Sequence, residues 1–319
     1  MWTWRHVLAG TLAACSVGAH AASFPTHETR FIVPFPAGGP TDVIARILAQ
    51  GLDRTWQQPV VVENKPGAGT MIGAATVAKA PADGHTFGIV ISAYTINPAI
   101  RSKMPYDTLR ELTGITQVAR ANMALVAPAD APFDDVPGLV RYAQAHQGQL
   151  TYATPGPGTA THLAGEMFKR AAGAEIVHVP YNGSGPALTD LIGGRVDLMF
   201  DIVHSVRPHV QAGKLKLLAV TAGARDPEMP DTPTIAETLP GFEIYSTIGL
   251  VAPAATPEAT IATLQRDVAG VLAQPEVRSK LAELGVTPVG SSPAEWNDFI
   301  RQDIQRWTEV ARASGIRLD

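Results

Sequence analysis

Two segments of this chain place a glycine-rich turn between a β-prone run and an amphipathic helix. They are Pro34-Phe-Pro-Ala-Gly-Gly-Pro-Thr-Asp42 and Thr154-Pro-Gly-Pro-Gly-Thr-Ala-Thr-His162. Phe31-Ile-Val33 precedes the first and Leu150-Thr-Tyr152 precedes the second. Strand, tight turn and helix start, in that order, is the building unit of an α/β layer. The unit also carries a chemistry. A helix N-terminus has N–H groups without intrahelical partners and a partial positive charge, so it attracts anions. Two such ends across one cleft would hold a carboxylate without an arginine.

The remaining chain repeats the alternation. Strand-like runs fall at 30–35, 59–63, 87–92, 115–118, 124–127, 150–153, 176–179, 196–200, 215–221, 242–246 and 248–252. Between them, Ile44, Ile47, Leu48 and Leu52 have helical spacing, as do Leu163, Met167 and Phe168. Pro186, after Ser184-Gly185, is expected at the first position of another helix. Past residue 256 the pattern changes to three helical stretches, 257–273, 275–284 and 293–314, expected to pack back on the first domain. The similar runs Leu125-Val-Ala-Pro128 and Gly249-Leu-Val-Ala-Pro253 read as crossover strands of a two-strand hinge. The domain expectation is residues 23–123 plus 249–319 for lobe 1 and residues 124–248 for lobe 2.

Charge and leader narrow the function. With 319 residues and a net charge of −4, the chain has length for two lobes and no basic footprint for nucleic acid. Residues 1–22 read as an export signal: Arg5, the apolar run Val7–Ala14 and the small-residue site Ala19-His-Ala21. The single cysteine, Cys15, lies inside it. Leu12-Ala-Ala-Cys15 also fits a lipobox, which would lipidate Cys15 and tether the chain to a membrane. The A-x-A site beyond it favours soluble export to the periplasm.

Taken together, these motifs resemble a known family. Ile32–Asp42, Val61-Val-Glu-Asn-Lys-Pro-Gly-Ala-Gly69, Pro81-Ala-Asp-Gly84, Thr161-His-Leu-Ala-Gly165, Val177-His-Val-Pro-Tyr181 and Val196-Asp-Leu-Met-Phe-Asp201 occur in order. The chain resembles a tripartite tricarboxylate transporter substrate-binding protein, the Bug or TctC type of periplasmic receptor, from Arg30 to Gly315. The resemblance implies a two-lobed type II periplasmic-binding-protein fold, with two mixed sheets flanked by helices around a central cleft. It implies a monomeric, non-catalytic receptor that binds a small organic carboxylate, with membrane transporter subunits or a sensor ectodomain as partner. The ligand-binding set it implies is Phe35, Gly38, Gly39, Thr41, Asp42, Ser92, Thr154, Gly156, Gly158, Thr159, Thr161 and Asp201.

Each of these residues also has a plainer reading. Gly38 and Gly39 suit any strand–helix turn, with Thr41 expected to cap the helix. Asp42 would repel an anion, so it is expected to serve the helix dipole, a bridging water or a ligand amine. Ser92 ends a strand at a βα turn, where open α/β sheets bind ligands, and Asp201 either binds there or caps the next helix. Lys65-Pro-Gly-Ala-Gly69 lacks the spacing of a nucleotide loop but suits a cleft rim. His162 and His178 have no partner at metal-ligand spacing and read as structural, so neither metal nor cofactor is expected. Ser184 reads as a helix cap. The rival function is an exported hydrolase or transferase with a glycine-loop oxyanion hole, which needs a nucleophile–base pair that the sequence does not display.

Overall fold

The computed structural model describes residues 24–317 except Asn182, Pro227 and Glu228. The expected leader, its cleavage site and Cys15 lie outside the described residues. The chain opens as β1 (Thr29–Val33), α1 (Pro40–Trp56), β2 (Val60–Asn64), α2 (Met71–Ala78), β3 (Thr86–Ile91) and α3 (Ala93–Ile100). One 17-residue strand, β4 (Leu112–Pro128), comes next. The alternation resumes with α4 (Val136–Ala145), β5 (Thr151–Thr154), α5 (Ala160–Ala172) and β6 (Val177–Pro180). It continues through α6 (Ser184–Ile192), β7 (Leu198–Ile202), α7 (Val203–Gln211) and β8 (Leu215–Val220). The chain returns along β9 (Tyr245–Pro253) and ends in α8 (Glu258–Leu272), α9 (Pro275–Glu283), β10 (Thr287–Pro288) and α10 (Pro293–Ser314).

The strands join two sheets through β4, in the order β2-β1-β3-β9-β4 and then β4-β7-β5-β6, with β10 and β8 also on β4. Parallel strands covered on both faces need apolar side chains on both sides. Phe31 and Val33 pack toward α1, α8 and α9, whereas Ile32 between them packs toward α2 and α10. The second sheet is covered by α4 and α5 on one face and by α6 and α7 on the other.

The ladder registers decide where the ends of these sheets point. β3 runs against β9 with Ile91 opposite Ile248, and β9 runs against β4 with Ile248 opposite Ala119. Hence β3, with β1 and β2 parallel to it, runs along β4 and stops level with Ala119. β7 runs against β4 and stops with Asp201 opposite Ala124 and Ile202 opposite Met123. β5 and β6 are parallel to β7. The two parallel sets therefore meet head-on, and their C-terminal edges face each other across residues 119–124 of β4. This is the two-lobed α/β architecture expected from the sequence.

The structure corrects three local expectations. The runs 115–118 and 124–127 belong to one strand, β4, because the polar residues between them continue the ladder: Arg120 pairs with Thr247 and Asn122 with Tyr245. Gly249–Pro253 lies within the first sheet, opposite residues 112–117, so it is not the crossing segment. β4 changes partner from β9 to β7 between Asn122 and Met123, placing the crossing in polar chain. Finally, α10 does not pack on one lobe alone. Its Trp296 and Ile300 join the α2–α3 side of the first sheet, and its Trp307, Val310 and Ala311 join the α4–α5 side of the second.

Candidate ligand-binding site

Both glycine turns lie at the facing edges, and their backbones match residue for residue. Gly38 has φ 86° and Gly158 has φ 71°, the left-handed region that a side chain penalises. The next residue is the helix cap, Gly39 at φ −78°, ψ 166° and Thr159 at φ −87°, ψ 163°. Pro40 and Ala160 open the helices, Thr41 and Thr161 follow, and Asp42 and His162 take the third position. In each turn that third side chain accepts the N–H of the glycine before the cap. Gly38 N–H donates to Asp42 Oδ2 at 2.9 Å, and Gly158 N–H donates to His162 Nδ1 at 3.1 Å. The remaining first-turn amides, Thr41 and Asp42 N–H in one helix and Ala160 and Thr161 N–H in the other, have no intrahelical acceptor.

The first turn is locked by charge. Asp42 is 1% exposed and also accepts from Arg46 Nε at 2.8 Å and Asn64 Nδ2 at 2.8 Å. The Arg46 bond, helped by the Gly38 and Asn64 donors, holds its carboxyl down at about 2 against the cost of burial. Asn64 Nδ2 also donates to the Phe35 carbonyl at 2.9 Å, and the Phe35 ring packs on the α1 core. Asp42 and Phe35 thus build the turn from behind. Thr41 is not the cap that the sequence suggests, because Pro40, which lacks an N–H and has a helical φ, takes the first helical position and moves the cap back to Gly39.

The second turn is locked by neutral groups. Thr159 Oγ1 accepts the His162 N–H at 3.2 Å and donates to the Gly156 carbonyl at 2.7 Å. Thr161 Oγ1 lies 2.8 Å from Thr159 Oγ1, and Thr154 Oγ1 lies 2.8 Å from His178 Nε2. Gly156 is buried where Tyr181 and Gly183 fold over the turn, with Gly183 N–H on the Pro155 carbonyl at 2.8 Å. The His162 and His178 rings stack at 4.1 Å, and Tyr152 also stacks on His178 at 4.8 Å. Burial, with His162 alongside, pushes the His178 imidazole down to about 4, and burial lowers His162 as well.

Two further residues, Ser92 just after β3 and Asp201 on β7, belong to strands that lie between β1 and β5 in the sheet order. Ser92 is buried and its hydroxyl is committed to Thr247, accepting the Thr247 N–H at 2.8 Å with Oγ1 at 3.1 Å, so it ties β3 to β9. Asp201 is 1% exposed; its Oδ1 accepts the Ile202 N–H at 2.7 Å and its Oδ2 has no hydrogen-bond partner among the described residues. Burial raises this carboxyl to about 6, a shift that the nearby Ser184 hydroxyl and the Ile202 N–H partly offset. Ser184 itself is the first residue of α6, with Gly183 as cap, and Pro186 consequently falls third. The third turn at this edge, between β2 and α2, has positive φ at Gly67, Ala68, Gly69 and Thr70. Such backbone strain concentrates at functional sites, and Lys65-Pro-Gly-Ala-Gly69 was the signal for it.

Among the described residues, one cluster elsewhere has metal-ligand residue types. His27, Asp83 and His85 bring donor atoms within 4.8 Å of one another. Two features oppose a shared ion. Thr26 N–H donates to His85 Nε2 at 3.1 Å, which leaves the proton of a neutral ring on Nδ1. The two imidazoles stack at 3.7 Å with planes only 8° apart, so their in-plane lone pairs do not converge.

The facing edges and twin turns belong to a two-lobed α/β fold of the periplasmic solute-binding type. The model of the TctC family, the tripartite tricarboxylate transporter family receptor, matches residues 44–316, and the chain belongs to this family. It is 34% identical over 309 residues to Protein BugT of Bordetella pertussis, covering 96% of this chain and 95% of that one. Among solved structures, R. palustris Rpa4515 with adipate is 36% identical with TM-score 0.78, covering 92% of this chain and 99% of that one. MatC from Rhodopseudomonas palustris with bound malate is 33% identical with TM-score 0.74, covering 90% and 99%.

Proposed function

We propose that this chain is a non-catalytic receptor of the periplasm that closes two lobes on a small organic carboxylate. The lobes are residues 23–123 with 249–319, and residues 124–248, with Tyr245–Ile248 already entering the first sheet ahead of that boundary. The ligand lies between the turns at Gly38–Thr41 and Gly158–Thr161, with Asp201 and the 67–70 turn beside it. First-turn amides and threonine hydroxyls supply the donors, and the membrane subunits of a secondary transporter or a sensor ectodomain read the closed form. One observation carries the proposal: closely matched helix-start backbones at sheet edges that meet head-on. The adipate and malate bound by two relatives support a dicarboxylate as ligand.

Calorimetry and thermal shift with adipate and malate on residues 23–319 test this reading. A ligand at 100 times its Kd adds about 2.7 kcal/mol to stability. Gly39 is the informative substitution, because its φ of −78° suits any residue and an added Cβ would meet only the Pro36 carbonyl, at 3.8 Å. Gly39→Val should therefore fold, with a small loss of unliganded Tm because valine is a poorer helix cap, and lose the ligand shift. Turnover of carboxylic esters, or a shift preserved in the Gly39→Val chain, would overturn the proposal.

A further inference from the structure

The lobes solve one geometric problem with two chemistries. Asp42 and His162 stand at the same helical position and accept the same backbone N–H four residues earlier, yet one is an anion and the other a neutral ring. Asp42 has Arg46 and Asn64 to balance it. His162 has no such anchor: it is 6% exposed and stacked on His178. We propose that Asp42 and His162 are matched positioning residues that hold the two turns in their ligand-gripping form, and that His162 makes the grip of the second lobe labile to acid. This inference rests on the reading of the turns as the ligand site.

The step follows from hydrogen-bond inventory. A neutral imidazole accepts at one nitrogen only, so the Gly158 N–H bond requires an unprotonated Nδ1 and a proton on Nε2. Adding a proton makes Nδ1 a donor facing a donor. The Gly158 bond is then lost and φ 71° at Gly158 has one fewer restraint. The groups around the ring are mixed. Glu166 and Lys169 on the same helix form an ion pair at 3.1 Å, and Glu166 also accepts from Tyr152 Oη at 2.6 Å. His178 faces the ring from β6, and on α10, which packs against α5, Arg306 reaches Met167. Burial is the largest influence on His162 and Lys169 adds to it, both favouring the neutral ring, while Glu166 opposes them. The loss of grip therefore falls below the ordinary histidine range. Asp42, already a carboxylate held at about 2, stays charged across the same interval.

The test compares His162→Asn with His162→Leu in residues 23–319. Asn places an acceptor oxygen at the branch point where histidine has Nδ1, and it does not titrate; Leu fills the space without an acceptor. Backbone amide exchange reports the Gly158 protection factor without ligand, and calorimetry reports affinity for adipate and malate from pH 8 to pH 5. In the wild type, Gly158 protection and affinity should fall together with acid. Asn should keep Gly158 protection at every pH and lose only the affinity that protonation of the acids themselves removes, while Leu should lose about tenfold in affinity, or about 1.4 kcal/mol, with Gly158 protection lost even at pH 8. Wild-type Gly158 protection in the Leu variant, or an acid loss in the Asn variant equal to wild type, overturns the inference. Should the Leu chain fail to fold, the Asn pH profile decides alone. Should neither acid bind the wild type, the dicarboxylate reading fails, and Gly158 protection still decides the positioning claim.

Discussion

At the scale of single residues, the most exposed weakness of the site is Asp201 Oδ2, a buried oxygen without a partner among the described residues. Its carboxyl is raised to about 6 from an ordinary 3.8, so between those values the folded chain binds more protons than the unfolded one. Stability from this group is present below about pH 3.8 and is lost as pH rises through about 6. His178, lowered to about 4 from 6.5, has the opposite sign: it weakens the fold as pH drops through that window. Asp201→Asn removes the first slope. The variant should be more stable than wild type at pH 7, by about 1–3 kcal/mol on the scale of 1.36 kcal/mol per unit. Its stability should then fall steadily below pH 6.5, as chemical denaturation at each pH would show. A variant less stable at pH 7 would mean that the carboxylate has a compensating partner. Among the candidate residues, Gly38 and Gly158 were legible because a positive φ selects glycine there, and Thr159 because a helix cap selects a hydroxyl. The Asp42–His162 equivalence was not: chemically unlike residues share a role only once their backbones are matched.

Elements show the same division. Helices with one apolar stripe were readable, since Ile44, Leu48 and Leu52 have a single face to bury. β4 was not, because its middle crosses from one core to the other and is polar there. Arg120 stacks over the Tyr245 ring at 4.6 Å and Asn122 binds Asp226 at 2.6 Å, so these residues continue a ladder where alternation predicts a gap. α10 was misplaced for a related reason: both of its ends are apolar, but to different cores. It is seated on the β4–β9 ribbon by Trp296, whose indole N–H donates to the Leu250 carbonyl at 3.2 Å. That indole fits because two glycines lie beneath it. A Cβ at Gly249 would come within 2.2 Å of its ring and one at Gly114 within 2.5 Å. Gly249→Ala should therefore lower stability by about 1–3 kcal/mol through overpacking. The combined Gly249→Ala, Trp296→Leu chain should lose less than the separate effects added. Simple additivity in a double-mutant cycle would place the indole elsewhere.

For the molecule as a whole, the decisive property is that two lobes share a narrow polar waist while α10 bridges both cores. A ligand gripped from both sides favours the state in which the turns approach, and it can shift that equilibrium only by its differential affinity for the closed form. On the proposed reading, closure is taken up near Arg120–Asn122 and Tyr245–Thr247, where β4 changes partner, and α10, packed on both cores, limits its extent. The chain beyond residue 22 contains no cysteine, so labels can be introduced singly without background. Ile72 on α2 and Val177 on β6 are half exposed, at 48% and 50%, and belong to the first and second sheets' outer elements. With Ile72→Cys and Val177→Cys carrying spin labels, the distance distribution should be broad without ligand. It should shorten and narrow with saturating adipate or malate. Gly39→Val in the same background should keep the broad distribution at every concentration, since closure gains nothing when one turn cannot grip. A distribution that is already narrow and does not respond to a bound acid would show lobes fixed by α10, with capture occurring in a preformed cleft.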